Sequence, residues 1–407
     1  MNTNTVDTKR EAFERKVLAR FGHAVQIMDP DRHYLVFKRL QPYFDGYSPT
    51  QDVPGLYSGS YGFSPSASAL YANGFNPRGL SKVAPFGLLY GDFGNDNLCF
   101  TSVFSIGYFR KPGSKEGEDG YMMILCPQGD ASTMDLAVRF ARNILCEQDI
   151  PCAGVYFRFL DFVQWNTATS LGLRNISGYP WHPKAVKEDE TFCHSSLFLP
   201  KVIELSGSGF RVLDLQDAPD KYHRRKSRMA FKRFENFLSR NGLEFCMKRL
   251  MSEDSEKNCK IAMEIIRSNF ARMDNHICSV AEDYLGICDP RILRLPDIHA
   301  YVGYLARVPI AVFIGEEIAG GSVGLYTAIT LHDARQVLPE LGIAPESQKA
   351  MGFSAVSMAA QMHYFANLLA KGITTVKLGG SETKELDDQK RQLGAKEDET
   401  YWLALMR

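Results

Sequence analysis

The chain has 407 residues, 45% of them hydrophobic and 23% charged, with 47 lysines and arginines balanced by 47 aspartates and glutamates. That length suits two domains of about 200 residues, because single cores seldom grow past about 250–300 residues, and the composition is ordinary for a soluble globular protein. A formal net charge of zero excludes a global field drawing the chain to nucleic acid or membrane, so any polyanion site must be local.

In chain order, residues 8–21 carry Phe13, Val17 and Leu18 on one side and basic residues elsewhere, which predicts a helix capping the first domain. From Gly55 to Gly79 comes a glycine-, serine- and tyrosine-rich stretch too long for an ordinary connection; such loops are lids or binding loops, or else surface insertions without a role. Phe86–Tyr90 and Leu98–Phe104 predict paired strands around Gly94, Asn95 and Asp96, Tyr121–Leu125 a further strand, and Met134–Leu145 a helix. The nine cysteines show neither Cys-x-x-Cys nor Cys/His ligand spacing, so reduced core thiols, no metal site and a cytoplasmic protein are expected. The N-terminal residues lack a signal-peptide pattern and no run of eighteen apolar residues occurs, so no integral membrane segment is expected.

Between Lys221 and Arg233, seven of thirteen residues are basic and none is acidic. On a helix, Lys221, Arg225, Arg228 and Lys232 form one stripe, while Ala230, Phe231, Phe234, Phe237 and Leu238 lie roughly opposite. Such a helix is pinned by aromatics and turns its cations outward, either as a solvated face or as a surface that tracks phosphates; the missing acids favour the second. Cys259–Phe270 predicts another helix. Ala311–Ile314 and Ala319–Leu325 predict a hairpin around Gly315-Glu316-Glu317, with Gly320, Gly321 and Gly324 marking a bulge or a ligand's close approach. From Ser347 a largely apolar helix is expected to run to Ala370; Gln348–Ala355, at its start, matches a pyrophosphate-binding signature only weakly.

The closing segment organises the rest. Gly372 stops that helix, Ile373–Leu378 is a β-branched strand, and Gly379-Gly380 ends it where the backbone must turn or approach a ligand. Ser381, Glu382 and Thr383 follow at the strand's carboxyl end, then a short charged helix, Leu393-Gly394-Ala395, and Lys396-Glu397-Asp398-Glu399-Thr400 before a last strand. An echo occurs earlier: a strand from Ile150 to Phe159, a polar helix, Leu171-Gly172-Leu173, then Lys187-Glu188-Asp189-Glu190-Thr191 and an apolar run to Leu199. Duplication is the reading these flanks support. The first copy has no Gly-Gly and no Lys-Arg pair, so it reads as a support or acceptor-binding unit.

The run Leu378-Gly379-Gly380-Ser381-Glu382-Thr383, its spacing to Gln389-Lys390-Arg391, and the Leu393-Gly394-Ala395 step resemble the end of the Fem-type peptidyltransferases and of the phosphatidylglycerol lysyltransferase C-terminal domain. In those families an aromatic residue often precedes the lysine; here Gln389 stands there. The resemblance implies an α/β fold of two tandem GNAT-like acyltransferase domains, mixed central sheets flanked by helices, divided here as 1–205 and 206–407. It implies transfer of an amino acid from aminoacyl-tRNA to an amine of a peptide-like or small-molecule acceptor. Lys390 and Glu382 then stand as catalytic candidates, and Gly379, Gly380, Ser381, Thr383 and Arg391 as substrate-binding ones. The resemblance also gives the basic helix a partner, the tRNA acceptor arm, through Lys221, Arg224, Arg225, Arg228 and Lys232.

Transfer from an ester to an amine needs the reactants held together, a proton removed, and charge stabilised on the tetrahedral oxygen and the leaving hydroxyl. Lys390 is suited to supply positive charge, and Glu382 to act as base or to hold an α-amino group; as a surface lysine among Asp387 and Asp388, Lys390 would do neither. No cofactor is expected, aminoacyl-tRNA being a co-substrate. The alternatives are an N-acyltransferase of the same fold that uses acyl-coenzyme A and a degenerate copy that only binds RNA or a partner. No DNA partner is expected. Serine-nucleophile chemistry is not expected.

Overall fold

The β-branched and aromatic runs of the chain gather into two seven-stranded mixed sheets in the computed structural model, which describes residues 4–27, 31, 33–38, 62, 64–67, 69–70, 88–91, 102–109, 118–129, 132–160, 162–175, 193–207, 209–216, 221–251, 255–271, 284–318, 321–380, 384–399 and 401–406. The strands are β1 (Val25–Ile27), β2 (Leu88–Gly91), β3 (Ser102–Phe109), β4 (Gly120–Gly129), β5 (Cys152–Leu160), β6 (Arg174–Asn175), β7 (Cys193–Phe198), β8 (Ile203–Ser206) and β9 (Gly209–Val212). They continue with β10 (Phe245–Arg249), β11 (Ile298–Leu305), β12 (Val308–Ile318), β13 (Ser322–Thr330), β14 (Thr375–Gly380), β15 (Lys396–Glu399) and β16 (Tyr401–Met406). The longer helices are α1 (Asn4–Phe21), α2 (Thr133–Cys146), α3 (Phe162–Ser170), α4 (Lys221–Asn241), α5 (Ser255–Phe270), α6 (Val356–Leu369) and α7 (Lys384–Gln392).

Both sheets have one plan. Strand order is β1-β2-β3-β4-β5-β16-β6 in the first and β10-β11-β12-β13-β14-β7-β15 in the second. In each, four strands run as an antiparallel meander. The fourth and fifth then pair in parallel, joined by a crossover helix, α2 in one sheet and α6 in the other. Parallel neighbours require such a crossover. The chain is thus of α/β class, with two units of the same strand plan. Each sheet also takes a strand from the other half of the chain: β16 closes the first between β5 and β6, and β7 closes the second between β14 and β15. The closing runs expected in each half are therefore exchanged. Lys396–Glu399 is itself strand β15, whereas 187–191 lies outside the described residues.

Helix α1 caps the first unit as its pattern predicts, with Phe13 and Val17 buried and Phe13 stacked on Tyr108 at 4.6 Å. Each such fully buried side chain contributes on the order of 1.5–3 kcal/mol. A second, larger core unites the second sheet with residues of the first half, among them Met123, Leu125 and Tyr156, so the two units share apolar interior.

Two expectations are corrected. Gly315-Glu316-Glu317 is not a hairpin tip: β12 runs on through Ile318, because the apolar run from Val308 resumes there, and the turn follows at Gly321, whose φ is +64°. The segment from Ser347 is not one helix. Gln348–Ala350 and Phe353–Ala355 are separate 3₁₀ turns ahead of α6, divided by Gly352 at φ +97°, a conformation glycine adopts at little cost.

Candidate active site

Gly379, Gly380 and Lys390 meet at the carboxyl end of β14. Pairing between β13 and β14 covers Ser322↔Thr375, Val323↔Val376 and Gly324↔Lys377 and goes no further, although both strands continue. The sheet therefore opens as a wedge beyond Gly324, with Leu378, Gly379 and Gly380 on one side. In the first sheet the equivalent pair stays joined from Gly120 to Leu125. Only the second unit has the longer opening.

Gly379 sits at φ +68°, which turns the strand end toward α7. Lys390, on α7, is 7% exposed and donates hydrogen bonds to the carbonyl oxygens of Gly379 at 2.9 Å and Gly380 at 2.7 Å. A buried ammonium needs partners of this kind. Lys390 is thus not the surface lysine that Asp387 would neutralise; Asp387 instead accepts from Arg391 Nε at 2.7 Å, one turn along the helix. Arg391 itself lies on the exposed side, away from the glycine carbonyls. Ser381, Glu382 and Thr383 lie outside the described residues.

The basic helix is α4, and its aromatic stripe is inward as the spacing predicts, with Phe234 and Phe237 fully buried. Arg225, Arg228 and Lys232 are exposed. Asp214 lies 2.8 Å from Arg228 Nε and 3.9 Å from Arg225 Nε, so one acid from outside the helix partly offsets the stripe. Lys221 and Arg224 stand in its first turn. The helix is also tied to α7: Lys226 donates to Gln392 Oε1, and Ser227 Oγ to the Gln392 carbonyl at 3.2 Å. The charged surface and Lys390 thus share one mechanical connection.

The other end of α4 holds the weak pyrophosphate signature. Arg240 donates to the carbonyls of Gln348 and Met351, each at 3.1 Å, and Asn241 to that of Lys349 at 2.9 Å. In the 3₁₀ turns the amides of Ala350, Met351 and Ala355 bond to the carbonyls of Ser347, Gln348 and Gly352. Those three amides are engaged within the segment rather than pointed at a ligand.

Sequence reading missed a second polar centre. Glu316 is fully buried; its Oε2 accepts from the backbone N–H of Ser66 at 2.9 Å, and its Oε1 has no hydrogen-bond partner among the described residues. Burial pushes its carboxyl up to about 7, while Ser66 and Ser64 pull it down and the nearby Asp297 charge adds to the rise. Ser64 Oγ lies 2.7 Å from Tyr326 Oη. The Gly55–Gly79 stretch therefore places at least Ser64–Ala67 as a buried turn against the second sheet. The signal was present in an apolar strand pattern running through Ile318, which puts an acid in mid-strand. Its neighbour Glu317 hydrogen-bonds His299 Nε2 at 2.7 Å. His363 is packed: Phe210, Phe231 and Phe245 surround it at 5.0, 5.5 and 4.9 Å.

Among the described residues there is no cluster of three or more His, Cys, Asp or Glu able to hold a metal, and no helix long and apolar enough to cross a membrane. No family model matches the chain, and no curated protein does. Solved structures to which it is similar include FemX, with 11% identity and a TM-score of 0.48 over 94% of this chain and 97% of that one. A conserved protein of unknown function from Bacteroides thetaiotaomicron VPI-5482 aligns with 9% identity and a TM-score of 0.47 over 91% and 97%. L-PGS from Bacillus licheniformis aligns with 11% identity and a TM-score of 0.44 over 75% and 81%.

Proposed function

We propose that the chain is an aminoacyltransferase, moving an amino acid from aminoacyl-tRNA to an amine of a peptide-like or small-molecule acceptor with formation of an amide. The observation that carries this reading is the Lys390 ammonium, buried and fixed by the Gly379 and Gly380 carbonyls at the mouth of the opened β13–β14 wedge. In the reaction the acceptor nitrogen attacks the ester carbonyl. A C–N bond forms, the C–O bond to the ribose breaks, and the proton lost from nitrogen is balanced by the one gained by the ribose hydroxyl. Positive charge held near the strand end stabilises the tetrahedral oxygen and the leaving oxygen without reorganisation.

The donor assignment rests on the resemblance together with α4, whose exposed cations suit an RNA backbone and whose inner side is joined to the lysine helix through Gln392. The engaged amides of Ala350, Met351 and Ala355 give acyl-coenzyme A less support as donor. The protein would need no cofactor, and its division at 205/206 would assign donor binding and transfer to the second unit. Filter binding to aminoacylated and deacylated total tRNA at two salt concentrations, beside calorimetry with acetyl-coenzyme A, tests this. Preference for charged tRNA is the expected result; indifference to tRNA with heat released by acetyl-coenzyme A overturns the donor assignment.

A further inference from the structure

Glu316 is a buried carboxylate with one oxygen held and the other without a hydrogen-bond partner among the described residues. Leaving a buried acceptor without a partner costs on the order of 1–3 kcal/mol, more when it is charged, and such groups in folded proteins call for an explanation. Its place in the sheet supplies one. In β12, Glu316 stands directly opposite Gly324 of β13, and Gly324 opposite Lys377 of β14. That row is the last at which β13 and β14 pair. The carboxylate is thus one strand spacing, about 4.8 Å between backbones, from the apex of the wedge, and the residue between it and the apex has no side chain. Lys377 is also buried, at 4% exposure. A glycine in mid-strand weakens a sheet unless a ligand or another backbone approaches it, and the lane over Gly324 lies between a buried acid and a buried base.

The carboxylate is aimed from outside its own unit. The Ser66 N–H fixes Oε2, and Ser64 bridges to Tyr326, so a turn from the first half of the chain presses on the second sheet beside the lane. The charged group acting on it is Asp297, which pairs with Lys38 at 2.7 Å and Tyr34 at 3.1 Å; Lys377 stands two strands away in the same row. We propose that Glu316 receives the acceptor's amine over Gly324 and takes its proton. This rests on the amide-forming reading above. The arriving ammonium gives one proton to the carboxylate, and the freed lone pair attacks the ester carbon at the wedge. The tetrahedral nitrogen then loses a second proton as the ribose oxygen gains one, and Glu316 passes its own proton to solvent. A carboxyl whose burial raises it to about 7 suits proton transfer near neutral pH.

The test is calorimetric, on the full chain with glycinamide as the probe and glycolamide, its hydroxyl analogue, as the control. The wild-type protein should bind glycinamide about tenfold tighter or more, the scale of one charge-assisted hydrogen bond, and Glu316→Gln should erase the difference. Gly324→Val, which fills the lane and leaves the carboxyl intact, should also abolish glycinamide binding and keeps the test open should Glu316→Gln fail to fold. Equal affinity for the two probes in the wild-type protein, or a preference that survives both variants, overturns the assignment. The readout needs no tRNA. Glutamate-dependent glycinamide binding by a protein that ignores charged tRNA would uphold the amine site and remove the donor reading alone.

Discussion

Lys390 and Ala168 occupy the same position in the two halves of the chain. Each gives its carbonyl to the amide five residues on, Ala395 and Leu173 respectively, at 3.1 Å in both cases, and each precedes a Leu-Gly step whose glycine is left-handed, at φ +91° for Gly394 and +89° for Gly172. One helix ending thus serves both copies, with a lysine in one and a buried alanine in the other. The first copy keeps the scaffold without the charge, so reactivity should reside in the second.

Lys390→Ala should lower the transfer rate by about 10²–10³, the scale for removing one electrostatic stabiliser. It should also cost about 1–3 kcal/mol in urea unfolding, since it removes the donor to both the Gly379 and Gly380 carbonyls. A variant with the stability loss and an undiminished rate would make Lys390 a tie between α7 and β14 only.

Asp214 shares its carboxylate between Arg225 and Arg228, so it should restrain RNA binding. Asp214→Asn should tighten tRNA binding a few-fold at low salt. Charge reversal of Arg225, Arg228 and Lys232 together should weaken it and flatten the logarithmic salt dependence by about two to three, near one unit for each phosphate no longer neutralised. Unchanged salt dependence in the triple variant would mark the stripe as a solvated face.

Local spacing made much of this legible. Aromatic periodicity placed the inner face of α4, and glycines marked the ends of α6 and α7, because both signals are written within a few neighbouring residues. The exchange of β7 and β16 was not, since a closing strand reads the same whichever sheet receives it. For Glu316 the apolar run through Ile318 gave its place in a strand, but its environment was not legible, being built by Ser64 and Ser66, 250 residues or more away along the chain. Lys390 was picked out by its motif, but its burial depended on the fold of Gly379 around it.

Gly352 tests the seat of α4. A Cβ there would lie 2.5 Å from the Arg233 carbonyl oxygen, a backbone atom that cannot swing aside, and φ is +97°. Gly352→Ala should therefore cost about 2–4 kcal/mol, combining left-handed strain with the clash. A loss below about 1 kcal/mol in urea unfolding would show that α4 shifts without cost.

Two buried groups should give the stability of the protein opposing slopes between about pH 4 and 7. Burial among three phenylalanines lowers His363 to about 4, below the value near 6.5 of an exposed histidine. The unfolded chain then takes up the proton first as pH falls. The stability that a neutral His363 contributes is complete above about 6.5 and is lost toward 4, by on the order of 3 kcal/mol. Glu316 is shifted the other way, to about 7. Its neutral form supports the fold fully below the usual carboxylate range, and that support is lost as pH rises from there to about 7, again by on the order of 3 kcal/mol. Thermal melts from pH 4 to 9 should show His363→Phe removing the loss toward pH 4 and Glu316→Gln removing the loss between the usual carboxylate range and pH 7. Glu316→Gln should also melt higher than wild type at pH 8, because an unpartnered buried charge is gone. A Glu316→Gln variant that melts lower at pH 8 would mean that its second oxygen is paired after all, and that the lane over Gly324 is filled by the protein itself.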